Sequence, residues 1–146
     1  MVNIQLVAFD MAGTTVRDRG EVQDCFMAAA EATGLQASPA QVKAMMGWSK
    51  RRVLEALWQD QIGDTHPDYV AQVGRSFQAF RERLESHYRT QPVEPTEGCL
   101  ETFAWLRSRG SLIALTTGFY RQVTDIILQR LGWDQGLNAD YVGAAD

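Results

Sequence analysis

The chain has 146 residues, enough for one packed core or for a small core with an inserted subdomain. Its 45% hydrophobic and 22% charged content is that of an ordinary globular protein, and a net charge of −4 with a pI near 5.1 argues against nucleic acid as the main partner. No segment reaches the length of a membrane span, and the start of the chain has no basic region or cleavage signature, so the expectation is a cytoplasmic protein with no membrane partner.

Ile4 to Phe9 is apolar apart from Gln5 and predicts a buried strand that ends in Asp10-Met11-Ala12-Gly13-Thr14-Thr15. A carboxylate at the carboxyl end of a strand, followed by a tight Gly turn, lies where open α/β sheets place their ligands. Local pattern leaves two readings open. Asp10 is a nucleophile or metal ligand at the rim of a sheet, or it belongs to an ordinary polar turn of Asp, Gly and Thr.

After a polar stretch at Arg17-Asp18-Arg19-Gly20, Glu21 to Thr33 predicts a helix with Val22, Cys25, Phe26, Ala29 and Ala32 on its apolar face and Gly34 as its stop. Ser38 and Pro39 predict the N-cap and first turn of a short helix running to about Met46. A further helix from about Ser49 to Gln59 buries Val53, Leu54, Leu57 and Trp58. A long one, Pro67 to Tyr88, carries Tyr69, Val73, Phe77, Phe80 and Leu84 on one stripe. Two prolines in the segment from Thr90 to Thr96 mark a return linker.

An α/β pattern then resumes. Gly98 to Arg109 predicts a helix presenting Leu100, Phe103, Ala104 and Leu106. Leu112 to Leu115 predicts a strand ending in Thr116-Thr117-Gly118, Tyr120 to Leu131 a helix closed by Gly132, and Tyr141-Val142 a short strand. Strand, helical insertion, helix, strand, helix, strand is the order of an α/β fold with a doubly wound, Rossmann-like parallel sheet. The core would comprise residues 1–16 and 94–146, with 17–93 as a helical cap, in the place where a lid over a site is expected. Cys25 and Cys99 lie in different predicted elements and read as buried small hydrophobes. Trp48, Trp58, Trp105 and Trp133 fall at helical core or interface positions, Trp48 alone being placed to line a cleft. His66 and His87 receive no role.

The segment Asp10-Met11-Ala12-Gly13-Thr14 resembles the first motif of the haloacid dehalogenase (HAD) superfamily, in which Asp-x-Asp-Gly-Thr follows the first strand. Its Asp-x-Ala-Gly-Thr-Thr version is similar to that of phosphonoacetaldehyde hydrolase (phosphonatase) and its close relatives. The resemblance covers nearly the whole chain and implies a HAD-like core with a small helical cap. It implies that Asp10 is the nucleophile toward phosphorus and that Mg²⁺ is held by Asp10 with the backbone carbonyl of Ala12. Gly13 would allow close backbone approach to the ligand and Thr14 would cap the turn. The second Asp of the usual motif protonates an alkoxide leaving group, which Ala12 cannot do.

Thr116-Thr117-Gly118 resembles the second motif, in which a hydroxyl at a strand end, here Thr117, holds phosphoryl oxygens beside the exposed N–H of Gly118. By themselves these threonines are ordinary strand and cap residues. Met46-Gly47-Trp48-Ser49-Lys50 resembles the cap segment Met-Gly-x-x-Lys, whose lysine forms a Schiff base with the substrate aldehyde. A protonated imine draws electrons from the carbon–phosphorus bond, so no acid is required at position 12. For that chemistry Lys50 must be partly neutral near pH 7. An isolated lysine at a helix start is ordinarily solvated; the resemblance implies a catalytic one, with Met46 and Trp48 on the substrate side.

Three positions depart from the phosphonatase pattern: Val53 stands where a proton-transferring His is usual, Phe119 lacks the usual phenolic OH, and Gly20 replaces a Cys. HAD enzymes also continue with a charge-balancing Lys or Arg and an acidic pair, whereas this sequence stops at Asp146. The expectation is therefore a core without its C-terminal strands, whose first strand exposes an apolar edge. The leading expectation is a Mg²⁺-dependent phosphonatase-like hydrolase of a small phosphonate, with a homodimer implied because phosphonatases pair through their caps. The alternatives are a phosphomonoester hydrolase that tolerates Ala12 and an inactive interaction module.

Overall fold

A computed structural model describes residues 3–134 and 138–145. In chain order the elements are β1 (Leu6–Asp10), α1 (Glu21–Thr33), α2 (Pro39–Ala44), α3 (Lys50–Ile62), α4 (Tyr69–Thr90), α5 (Cys99–Ser108), β2 (Leu112–Thr116), α6 (Arg121–Leu131) and β3 (Tyr141–Gly143). They form two compact units, one from Met1–Asp18 with Gln91–Asp146 and one from Arg19–Thr90.

The first unit is built on a parallel sheet of order β1-β2-β3. Leu6 lies opposite Leu112, Asp10 opposite Thr116, and Thr116 in turn opposite Gly143. Because partners in a parallel ladder alternate between faces in step, one face carries Val7, Phe9, Ile113 and Leu115 and the other Leu6, Ala8, Leu112 and Tyr141. Ile113 and Leu115 are fully buried, and the Phe9 ring packs 5.4 Å from Phe103 of α5, itself 5.5 Å from Trp133. On the opposite face Leu6, Leu112 and Tyr141 are exposed. The expected buried strand at Ile4–Phe9 is thus corrected. Among the described residues β1 has one strand neighbour, its burial alternates with the pleat, and Ile4 and Leu6 are about half exposed. That exposed apolar edge is what the sequence predicts for a first strand without a second neighbour.

The α5 face also differs from expectation. Cys99, Phe103 and Leu106 point inward, while Leu100, Ala104 and Trp105 are exposed, with the Arg109 guanidinium stacked 4.2 Å from the Trp105 ring. This helix is apolar on two sides, and the Phe103–Phe9 contact selects the inner one.

In the helical unit α1 and α3 pack on α4, and α2 packs on α1. Phe26 and Phe80 stack at 4.1 Å in its core, each burial contributing about 2–3 kcal/mol. Buried Ser76 is satisfied by the Trp58 indole N–H at 2.9 Å and by the Thr33 hydroxyl at 2.7 Å. Gly34 ends α1 in a left-handed conformation (φ 75°), and Ser38 opens α2 with a reciprocal capping box to Gln41, with Pro39 in the first turn. Ala32, expected on the inner stripe of α1, is exposed; Ala30 takes the inward place. No helix among the described residues is long and apolar enough to cross a membrane.

One carboxylate ties the first unit together. Asp140 accepts the Ile113 N–H at 2.8 Å, pairs with Arg107 of α5 at 3.4 Å, and its own N–H donates to the Ile113 carbonyl. The Ile113 amide, and then Arg107, hold the Asp140 carboxyl below the ordinary 3.8 of an aspartate, against the opposing effect of burial. A depressed pKa stabilises the fold above the unfolded value, and the contribution is lost as pH falls. Asp140→Ala should therefore lower the melting temperature by a few degrees at pH 7. The gap to the natural chain should narrow below about pH 4, followed by thermal melts across pH 2–7.

Candidate active site

The carboxyl ends of parallel strands lie side by side, so the pairing of β1 with β2 brings Asp10 and Thr116 to the same edge. Asp10 is exposed there. The turn after it is closed by backbone bonds: the Met11 carbonyl accepts the N–H groups of Thr14, Thr15 and Val16 at 2.9–3.0 Å, and Gly13 N–H donates to Val16 O at 2.8 Å. Gly13 makes this turn with φ 79°, a conformation that costs an L side chain about 1–2 kcal/mol. Met11 is fully buried, which roots the turn in the core, while Ala12 is half-buried.

Thr14, expected to cap the turn, leaves that work to Thr15. The Thr15 hydroxyl donates to the Asp10 carbonyl at 2.9 Å, and Thr15 is only 2% exposed. Thr96, from the returning linker, donates its hydroxyl to Thr14 O at 2.6 Å and its N–H to Thr15 O at 3.0 Å. Neither Thr15 nor Thr96 was singled out from the sequence. The doubled Thr of the turn was a signal for the first; nothing local marks the second, 82 residues from its partner Thr14.

On the neighbouring strand Thr117 N–H donates to Gly143 O, and Thr117 Oγ1 accepts the Phe119 N–H at 3.0 Å. A hydroxyl used as acceptor keeps its proton to donate, which suits an anionic oxygen. Gly118 is half-buried, and α6 begins at Arg121. Arg121 places a cation on this edge, bonded to Val142 O at 3.1 Å and paired with Asp125. The structure thus gathers Asp10, Ala12, Gly13, Thr116, Thr117 and Gly118 at one edge of the first unit.

Met46 and Trp48 lie in the other unit, in the turn between α2 and α3, and Lys50 is the first residue of α3. Gly47 bends the turn with φ 96°, Trp48 N–H donates to Met45 O, and Ser49 caps α3 by accepting Arg52 N–H. The Lys50 side chain is 4% exposed and its Nζ donates to the Trp48 carbonyl at 3.2 Å. A solvated lysine, the ordinary reading of such a position, is not what the fold contains. Trp48 is half exposed and Met46 half-buried, whereas Trp58 and Trp133 are core residues. Val53 and Phe119, two of the departures from the phosphonatase pattern, are buried apolar side chains. Asp146 lies outside the described residues.

The pattern of haloacid dehalogenase-like hydrolases matches residues 4–146. The chain belongs to this hydrolase family. Its relatives include the phosphonoacetaldehyde hydrolases of Vibrio cholerae serotype O1, 30% identical over 154 residues covering 98% of this chain and 55% of that protein, and of Bacillus cytotoxicus, 31% identical over 159 residues covering 99% and 57%. The chain spans about half the length of the curated relatives it matches. CbbY from Rhodobacter sphaeroides in complex with phosphate shares the fold, with a TM-score of 0.73 at 15% identity, covering 98% of this chain and 64% of that one. The HAD resemblance and the α/β parallel-sheet fold expected from the sequence are therefore borne out.

The donor set at the tip of β1 is oxygen only: the Asp10 carboxylate and the Ala12 carbonyl, the ligand type of a hard cation such as Mg²⁺, which fills the rest of its shell with water. No group of three or more His, Cys, Asp or Glu side chains gathers among the described residues. The two thiols play no part in it. Burial pushes the Cys25 thiol up to about 11, Asp24 and Glu21 adding to the rise, and burial raises Cys99 against the opposing effect of the neighbouring Thr96 side chain. At pH 8 about one Cys25 in a thousand is then thiolate. Iodoacetamide should leave both cysteines unmodified in the native protein and label both in denaturant, read by intact mass; rapid native labelling of Cys25 would contradict its burial.

Proposed function

We propose that this chain is a hydrolase of a small phosphonate bearing an aldehyde, phosphonoacetaldehyde or a near homologue, with Asp10 as nucleophile and Lys50 as imine-forming amine. The observation that carries the reading is the buried Lys50 amine held on the Trp48 carbonyl, in a chain whose first motif has Ala12 where an acid is usual. A leaving carbon needs an electron sink, not the proton that an alkoxide needs. The names of the relatives from Vibrio cholerae and Bacillus cytotoxicus support the same substrate class.

The neutral Lys50 amine adds to the aldehyde carbonyl and, with one proton taken up from solvent, water leaves to give an imine protonated on nitrogen. A carboxylate oxygen of Asp10 attacks phosphorus and the carbon–phosphorus bond breaks. Its electron pair moves into the imine, leaving an enamine on Lys50 and an acyl phosphate on Asp10. Water cleaves the acyl phosphate; the enamine takes a proton on carbon and is hydrolysed, freeing acetaldehyde and the amine. Thr117 O–H and Gly118 N–H donate to phosphoryl oxygens through both displacements. Mg²⁺, held by Asp10 and the Ala12 carbonyl, would offset negative charge on the phosphoryl group.

Val53 and Phe119 favour a second reading. They leave two positions without the proton-carrying groups of the phosphonatase pattern, which suits a phosphomonoester hydrolase with no imine step. Reduction with borohydride in the presence of phosphonoacetaldehyde separates the two. The first reading expects a covalent mass on Lys50 by peptide mass spectrometry, absent in Lys50→Ala, with phosphate release falling by about 10³-fold in both Lys50→Ala and Asp10→Asn. Phosphate release that survives Lys50→Ala but not Asp10→Asn supports the second reading. Release unchanged in Asp10→Asn discards both.

A further inference from the structure

We propose that Thr96, on the segment returning from the helical unit, is a positioning residue for the nucleophile loop; the inference rests on the reading of Asp10 as phosphoryl acceptor. The hydrogen bonds described for Thr96 go to the loop backbone and not to the Asp10 carboxylate. Thr96 acts through three hydrogen bonds, all within the first unit. Its hydroxyl donates to Thr14 O at 2.6 Å, its N–H donates to Thr15 O at 3.0 Å, and the Thr15 hydroxyl donates to Asp10 O at 2.9 Å. The same segment is pinned on either side: Val16 bridges Pro95, and Arg17 N–H donates to Glu94 O at 2.9 Å with their side chains paired at 3.4 Å.

Beyond Asp10 the ladder to β2 stops, and among the described residues the Asp10 carbonyl is held by the Thr15 hydroxyl, beside the turn closed on Met11 O. A carboxylate oxygen must meet phosphorus in line, where a 1 Å displacement is enough to cost a large factor in rate. Thr14 is exposed, so water can replace a lost partner of its carbonyl without unfolding the loop. Removing the Thr96 hydroxyl should then loosen the aim of Asp10 more than it lowers stability. That asymmetry separates a positioning residue from a merely structural one.

Thr96→Val preserves the side-chain shape and the backbone donor while deleting the hydroxyl. Thr96→Ser restores the hydroxyl. The probe is beryllofluoride with Mg²⁺, which binds an acceptor carboxylate as a phosphoryl mimic and is followed by its fluorine NMR signal, with melting temperature recorded for each variant. Expected are a signal abolished by Asp10→Asn, an apparent affinity about tenfold weaker in Thr96→Val, and a return to within about twofold of the natural chain in Thr96→Ser. Thr15→Val should weaken the same signal, with Thr15→Ser restoring it. Affinity unchanged in a folded Thr96→Val, while Asp10→Asn abolishes the signal, overturns the role of Thr96 and leaves Asp10 as acceptor. Loss in Thr96→Val that Thr96→Ser does not restore also overturns it. No signal in the natural chain overturns both proposals.

Discussion

The structure of the first unit depends on two strands running the same way in fixed register. Parallel pairing leaves no room for a hairpin, so β1 and β2 must be joined by a long crossover, and here that crossover contains the whole helical unit as well as α5. It also aligns the carboxyl ends of the strands. Asp10 stands beside Thr116 because Leu6 stands beside Leu112, and a one-residue slip would turn Asp10 toward the other face. The pairing is extended below β1 by Leu112 N–H on Gln5 O and the Ser111 hydroxyl on Ile4 O, and it is locked at β3 by Asp140.

From this constraint follows the form of the turn. A strand that ends at a sheet rim must turn back at once, and Met11 supplies the pivot, buried and with its carbonyl taking three amide donors. Gly13 is the one residue in the turn with positive φ, and nothing lies within 4 Å of where its Cβ would be. Its requirement is thus conformational rather than steric. The sheet is covered unevenly: Ile113 and Leu115 are sealed on the Phe103 side, while Leu6, Leu112 and Tyr141 are open to solvent on the other.

Much of this was legible from local chemistry. Ser38-Pro39 opens α2, Gly34 and Gly132 close α1 and α6, and the period of Val73, Phe80 and Leu84 announces α4. Boundaries shifted where a local bond outranked composition. α4 starts at Tyr69 rather than Pro67, since Asp68 N–H is taken by His66 Nδ1, and α3 runs on to Ile62, where Gly63 stops it. Sidedness was harder. Leu100 and Ala104 are as apolar as Cys99 and Leu106, so hydropathy alone cannot choose the face of α5, and Trp105 lies outside with Arg109. Half exposure of Leu6 belongs to an open sheet face, since Leu112, with strands on both sides, is exposed there too. The candidate site was legible as two motifs; the brace through Thr15 and Thr96 was not, because it is a contact between residues far apart in the chain.

The opening of α3 runs against the helix dipole. A helix N-terminus favours acidic side chains, each worth about 0.3–1 kcal/mol, yet this one begins Lys50-Arg51-Arg52 with no acid in its first turn. Glu55 offsets part of the penalty by pairing with Arg51 at 3.2 Å and Arg52 at 3.8 Å, and Ser49 caps the helix. The Lys50 side chain is folded inward, 4% exposed, with its Nζ on the Trp48 carbonyl at 3.2 Å. A surface role would be met by extending it into water, which the first turn of a helix readily permits. The helix dipole and the hydration of an ammonium both oppose this placement, while the helix propensity of lysine favours it.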